Sequence, residues 1–212
     1  MFYKTIVKTG ALFAYTYAEP PEGLVVEWQK GVVVLAVEFL LSRDGQFLDQ
    51  YYALRQRCFR KELGLVDFDG AEEDQDRQGR ILLAIQDGKC VGGVRISRRV
   101  SLPSQMETLN INQDTCCMWE RFAIDPDVRS VSLIRQFIAQ LIVVSRESGY
   151  QHAMVLSSLC NARFYRRCLS SLEVGFEIHR HVPHCAQGAF AGLEHYMSVA
   201  YLDDSQALSI AV

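Results

Sequence analysis

No stretch of this 212-residue sequence is apolar for long enough to span a bilayer. The longest candidate, residues 32–41, is interrupted by Glu38 and falls far short of the roughly 20 apolar residues a membrane helix needs. The opening residues Met1-Phe2-Tyr3-Lys4 lack the basic region, apolar block and small-residue cleavage site of a secretory signal, so a cytoplasmic location is expected. Positive charge is not in excess either. A formal net charge of -3 creates no global basic field and argues against nucleic acid as a partner. Internal repeats, low-complexity tracts and linkers rich in Gly, Pro or Ser are all missing, so nothing divides the chain into tethered modules. The cysteines (58, 90, 116, 117, 160, 168 and 185) are odd in number, scattered and mostly set in apolar segments, which excludes a disulfide framework and points to reduced thiols. The adjacent Cys116 and Cys117 read as packing. The run from His179 to Cys185 has no second, spaced ligand cluster and contains Pro183, so no metal site is expected.

What is present suits one large α/β domain. A hydrophobic content of 49% is ample for a packed core. The turn Glu19-Pro20-Pro21-Glu22-Gly23 sets off residues 1–31 as a β-rich appendage from a main domain over residues 32–212. Ser42 or Asp44 caps a helix whose apolar positions, Phe47, Leu48, Tyr51, Leu54, Cys58, Phe59 and Leu63, step by three or four, and Gly64 stops it. The acidic residues 67–76 read as a loop. Residues 80–86 and 89–97 flank Asp87-Gly88, a strong hairpin signal, and residues 100–115 read as a long polar loop. Then follow a strand at 117–124, a helix at 131–147, a strand at 152–157, a short helix at 161–169, and strands at 176–182 and 194–202. This order predicts a mixed, partly parallel central sheet flanked by helices, parallel where the long helix crosses between strands.

The segment richest in chemistry is Trp119-Glu120-Arg121-Phe122-Ala123-Ile124-Asp125-Pro126, followed by Arg129-Ser130-Val131-Ser132. It reads as an apolar strand carrying an acid and a base, breaking at a proline and feeding a helix N-terminus. Oriented backbone N–H groups at such a corner can hold a phosphate or a carbonyl oxygen. Glu120 lies just upstream as a proton acceptor, an arrangement suited to acyl transfer.

The element order, the Asp-Pro and Arg before a helix, and Asn161-Ala162-Arg163-Phe164-Tyr165-Arg166-Arg167 ahead of Gly175-Phe176 resemble the N-acetyltransferase (GNAT) superfamily. A narrower match runs over residues 50–125. Leu54-Arg55-Gln56-Arg57-Cys58-Phe59, Leu63-Gly64, Glu73-Asp74-Gln75-Asp76, Cys90-Val91-Gly92-Gly93-Val94-Arg95 and Glu120-Arg121-Phe122 look in order like the LuxI-type acyl-homoserine lactone synthases and the related N-acyl amino acid synthases. The resemblance implies a GNAT-like fold and a medium or long acyl chain moved from acyl carrier protein, or acyl-CoA, to the amino group of an amino acid or S-adenosylmethionine. The product would be an N-acyl amino acid or a lactone signal of the quorum-sensing kind, made without a tightly bound cofactor. It implies an acceptor site of Arg55, Phe59, Asp74, Asp76, Arg95 and Arg121, and a donor site of Phe122, Ala123, Ile124, Arg129, Ser130, Ser132 and Asn161. Glu120 is the candidate base and Tyr165 the candidate acid for the leaving thiolate.

Departures from the family pattern sharpen the expectation. Ser132 and Ile134 stand where the superfamily's donor loop has small residues, which keeps the backbone away from a coenzyme A pyrophosphate and favours a carrier protein. A positive rim of Arg98, Arg99, Arg129, Arg135, Arg163, Arg166 and Arg167 would complement acidic acyl carrier protein, against the alternative of scattered solubilising charge. Leu65 and Met118 stand where the lactone synthases carry Trp and Glu, weakening S-adenosylmethionine as acceptor. Adjacent positions on a strand alternate faces, so Glu120 and Arg121 are expected on opposite sides of the sheet. Rival readings stay open: Glu120 as a structural partner of an arginine, a short-chain acyl-CoA enzyme acting on a small amine, and a non-catalytic acyl-binding regulator.

Overall fold

The computed structural model describes residues 37–98, 103–182 and 188–203. The appendage expected at residues 1–31, its boundary with the main domain, Arg99, His184 and Cys185 lie outside the described residues. A sheet of seven strands forms the frame: β1 (Glu38–Leu41), β2 (Arg80–Gln86), β3 (Lys89–Ser97), β4 (Cys116–Ile124), β5 (His152–Ser157), β6 (Gly175–His179) and β7 (Tyr196–Tyr201), in spatial order β1-β2-β3-β4-β5-β7-β6. Neighbours pair antiparallel except β4 with β5. That parallel step is the one predicted around the long helix.

Helices cover both faces. On one side lies α1 (Gly45–Leu63), capped by Asp44, whose side chain accepts the Gln46 N–H, and closed by Gly64 at φ 68°. Tyr51, Leu54, Cys58 and Phe59 bury this helix against Ile81, Leu83, Ile85 and Ala123. On the other side α4 (Val131–Glu147) and α5 (Leu159–Ser170) pack Phe137, Ile138, Leu141 and Leu169 on Val94, Trp119, Ile124 and Val155. Two expected loops contain helices: α2 (Asp74–Gln78) begins within residues 67–76, and α3 (Pro103–Thr108) and a 3-10 turn at Gln113–Thr115 lie within 100–115. Both helices are under two turns long, too short for a periodic apolar face to announce them. The final strands are shorter than expected, β6 ending at His179 and β7 starting at Tyr196.

Two irregularities in β4 shape the centre of the sheet. The register with β3 runs Arg95 to Glu120 and Gly93 to Ala123, so Arg121 and Phe122 oppose the single residue Val94. Arg121 takes φ 58° in this bulge, a conformation non-glycine residues seldom adopt. The bulge overturns the expected alternation. Glu120 and Arg121 both project toward α1 and α2, where their ion pairs lie, and Phe122 turns to Phe137 on α4. The second irregularity is a parting of strands. β4 and β5 pair only from Cys116 to Met118, so Trp119–Ile124 has no strand partner on the β5 side.

Tyr51 holds the bulge, its fully buried hydroxyl donating to the Arg121 carbonyl at 2.7 Å. The ring fits because Gly93 has no side chain; a Cβ there would sit 2.3 Å from Tyr51 Cδ2. Gly93→Ala should therefore cost about 1–3 kcal/mol through overpacking. Gly45→Ala, at a helical position with open space around the missing Cβ, should be neutral or stabilising. Urea unfolding midpoints of the two variants check this contrast.

Candidate active site

Beneath the bulge lies a closed network of charge. Arg55, fully buried on α1, donates to both Asp76 carboxylate oxygens at 3.0–3.2 Å and to the Gly70 and Ala71 carbonyls at 2.9 and 2.6 Å. Gly70 lets the loop lie this close, since a Cβ would meet Gln56 Cβ and the Tyr52 carbonyl at 2.4 Å. Arg95, 1% exposed, reaches Asp76 at 3.1 Å, Glu73 at 2.5 Å and Glu120 at 3.1 Å. Arg121 completes the set by pairing with Glu73 at 3.1 Å. Three guanidiniums thus face three carboxylates, and burial of so much charge is tolerable because every member is paired.

The network brings together, from four elements, Arg55, Asp76, Arg95 and Arg121 of the expected acceptor set and Glu120, the candidate base. Asp74 does not join them. Its side chain is exposed and pairs with Arg77, while Glu73 is the carboxylate that reaches Arg95 and Arg121. The reason is the start of α2: the Glu73 N–H donates to Asp76 Oδ2 at 2.8 Å, so the first helical turn points Glu73 and Asp76 inward and Asp74 out. The three-residue spacing of Glu73 and Asp76 was the available signal. Phe59 belongs to an aromatic cluster with Phe68 and Phe190, at centroid separations of 5.0, 5.9 and 5.6 Å, and the Arg121 guanidinium lies 4.5 Å above Phe190. Phe190 comes from a 3-10 turn over 100 residues from Phe59 and Phe68, and no sequence pattern connects it to them. Leu65 packs on this cluster's core, and Met118 sits with Met106, Met154 and Met197, so neither restores a polar contact at its departure from the family pattern.

The other face of β4 is apolar. Val94, Trp119, Phe122, Ile138, Leu141, Val155, Tyr165, Leu169 and Phe176 line a narrow cavity of about 30 Å³. Tyr165 borders it with its ring 6.3 Å from Phe122, and burial pushes its phenol up to about 12. Ala123 and Ile124 are buried in the strand, and the Ile124 carbonyl accepts from Arg129 at 2.7 Å. Arg129 also grips Glu62, which ties the end of β4 to α1 and leaves it less free as a donor contact than expected. Ser130 caps α4 by accepting the Leu133 N–H, Ser132 accepts from Gln136, and Asn161 is exposed on the first turn of α5. Arg163 and Arg166 border, with Arg180, a recess at the β6 edge of about 460 Å³. His179 and His181 stand edge to face at 6.0 Å, and no group of three possible metal ligands occurs among the described residues. No described helix is long and apolar enough to cross a membrane.

A sheet split beside a bulged strand, with a paired-charge site on one face and an apolar cavity on the other, is a GNAT-like fold. The chain belongs to the family described as N-acyl amino acid synthase FeeM, which matches residues 50–189. In fold it is similar to the acyl-homoserine lactone synthase LasI, at 17% identity and TM-score 0.60, over 84% of this chain and 97% of that one. The CoA-dependent acyl-homoserine lactone synthase BjaI, in a structure with SAM and isopentyl-CoA, aligns at 17% identity and TM-score 0.56, over 78% of this chain and 80% of that one. An acetyltransferase from Streptococcus agalactiae aligns at 18% identity and TM-score 0.54, over 77% and 96%. Among curated protein sequences none matches the chain.

Burial raises the carboxyl pKa values of Glu73 and Asp76, but the opposing guanidiniums outweigh it and hold both below the ordinary range. A depressed folded pKa contributes stability above the unfolded value of about 4 that is lost as pH falls through the folded one. Stability should accordingly drop in acid. Asp76→Asn should cost about 3–5 kcal/mol at neutral pH, because Arg55 loses the one carboxylate paired with it among the described residues, and should flatten the acid limb. Denaturant unfolding from pH 7 down to 3 measures both.

Proposed function

We propose that the protein moves a medium or long acyl chain from acyl carrier protein, with acyl-CoA as the alternative donor, to the α-amino group of an amino acid. The observation that carries this reading is the junction of two unlike compartments at the β4 bulge. The acyl chain enters between α4, α5 and the sheet toward the apolar cavity, whose about 30 Å³ opens further as the chain displaces the side chains lining it. The thioester sits in the split between β4 and β5, where the β4 backbone has no strand partner and offers hydrogen bonds to the pantetheine arm and the thioester carbonyl. The acceptor approaches from the α1 side, with the partly exposed Arg121 available to its carboxylate above Phe59, Phe68 and Phe190. Family membership supports the amino acid as acceptor, and Leu65 and Met118 speak against the lactone synthases' acceptor.

The reactive amine must be neutral, and its pKa of about 8 makes a single carboxylate a sufficient base. Glu120, with one oxygen held by Arg95 at 3.1 Å and its side chain 22% exposed, receives that proton directly or through a water. Attack on the thioester carbon gives a tetrahedral oxyanion held by β4 backbone N–H groups, and collapse expels the pantetheine thiolate. The conjugate acid of that thiolate has a pKa of about 8.5, so a phenol near 12 stabilises it by hydrogen bonding more readily than by full proton transfer. Tyr165 then acts as a donor to the developing thiolate. In support of a carrier protein, the α4 N-terminus carries Ser132 and Ile134 where a pyrophosphate would need close backbone approach.

Glu120→Gln should retain the fold, because Arg95 keeps Glu73 and Asp76. Amine-dependent thiol release should fall by about 10²- to 10⁴-fold at pH 7 and recover as pH rises past the amine's own pKa. Parent-like turnover at pH 7 removes Glu120 as base. Mass spectrometry of lipid extracts from expressing cells, beside purified reactions supplied with acyl carrier protein or CoA thioesters and with amino acids or S-adenosylmethionine, identifies donor and acceptor. An N-acyl amino acid made from acyl carrier protein is the expected product.

A further inference from the structure

The apolar cavity and the arginine-bordered recess at the β6 edge share one wall. Phe176, 7% exposed on β6, lines both the cavity of about 30 Å³ and the recess of about 460 Å³. The recess side is polar. Arg163, Arg166 and Arg180 border it, and none of the three forms an ion pair among the described residues. The junction itself contains an unsatisfied donor. Ser198 on β7 pairs with Val155, which lines the cavity, and with Ile178, which lines the recess, so its side chain lies on the same face between them. Ser198 is fully buried and its hydroxyl has no hydrogen-bond partner among the described residues.

Resting on the acyltransferase reading above, we propose that Phe176 is the end stop of the acyl-chain pocket. Its ring closes the apolar cavity against the recess, so the chain's methyl end halts there and the ring sets the accepted length. Removal of the ring joins the two spaces. A longer chain then passes Ser198 and ends beside the guanidiniums of Arg163 and Arg166.

The test compares the full chain with Phe176→Leu, Phe176→Ala and Phe176→Trp over a ladder of straight-chain acyl carrier protein thioesters, with circular dichroism as the check on folding. Rates relative to the parent optimum should shift to longer donors for Leu and further for Ala, and to shorter ones for Trp, by about tenfold or more per methylene. Should Phe176→Ala fail to fold, the Leu and Trp variants decide the matter by shifting in opposite directions. A second readout separates an opened wall from a loosened core. In Phe176→Ala, long donors ending in a carboxylate should be preferred over methyl-ended donors of equal length, and adding Arg163→Ala and Arg166→Ala should abolish that preference. Folded variants that turn over with the parent's length profile overturn the end stop and leave the transferase intact. A parent protein that transfers no acyl chain to any amine overturns both.

Discussion

The pairing of Arg55 with Asp76 in the interior is the constraint on which the active face depends. A guanidinium removed from water requires a carboxylate and further acceptors, and Arg55 obtains them only if the loop after α1 folds back to present Gly70, Ala71 and the start of α2. That return brings Asp76 to Arg95 and Glu73 to Arg121, and Arg95 in turn orients Glu120. One helix, one loop, the hairpin strand β3 and the bulged strand β4 are thereby fixed relative to one another by groups that must all be satisfied together. Such a network is rigid, and its solvent-facing members, Glu73, Glu120 and Arg121, are each about a quarter exposed.

The bulge converts this network into a site that communicates across the sheet. Without it, Glu120 and Arg121 would alternate faces and the parting of β4 from β5 would lack the local twist that a bulge supplies. Tyr51 and Gly93 secure it from the α1 side, while Phe122 and Phe137 meet on the α4 side at 5.1 Å. Charge and apolar space are thus brought to the two sides of one strand within a few residues. An acyl donor and a polar acceptor need that separation of environments at the point where they react.

Much of this was legible from the chain. The hairpin around Asp87-Gly88, the capped helix ending at Gly64 and the long helix 131–147 carry local signals strong enough to fix their bounds. Glu120 stands out as an acid on an otherwise apolar strand, whereas Arg55, Asp76, Arg95 and Arg121 came into view only through the family resemblance. Glu73 was obscured by Asp74 and Gln75, since within an acidic run only the geometry of a helix start tells which carboxylate turns inward. Phe190 was invisible because its partners, Phe59 and Phe68, are distant in sequence.

The sequence by itself determined the longer helices, the hairpin and the order of the main strands, because periodicity, caps and turn residues act over a few positions, and its motifs carried the family resemblance. Tertiary structure alone decided that Glu120 and Arg121 share a face, that Asp74 points away, and that Phe176 stands between two cavities. Each of these depends on register, on a positive φ at Arg121 or on the closing of distant strands, and register and closure are set by the packing of the whole sheet.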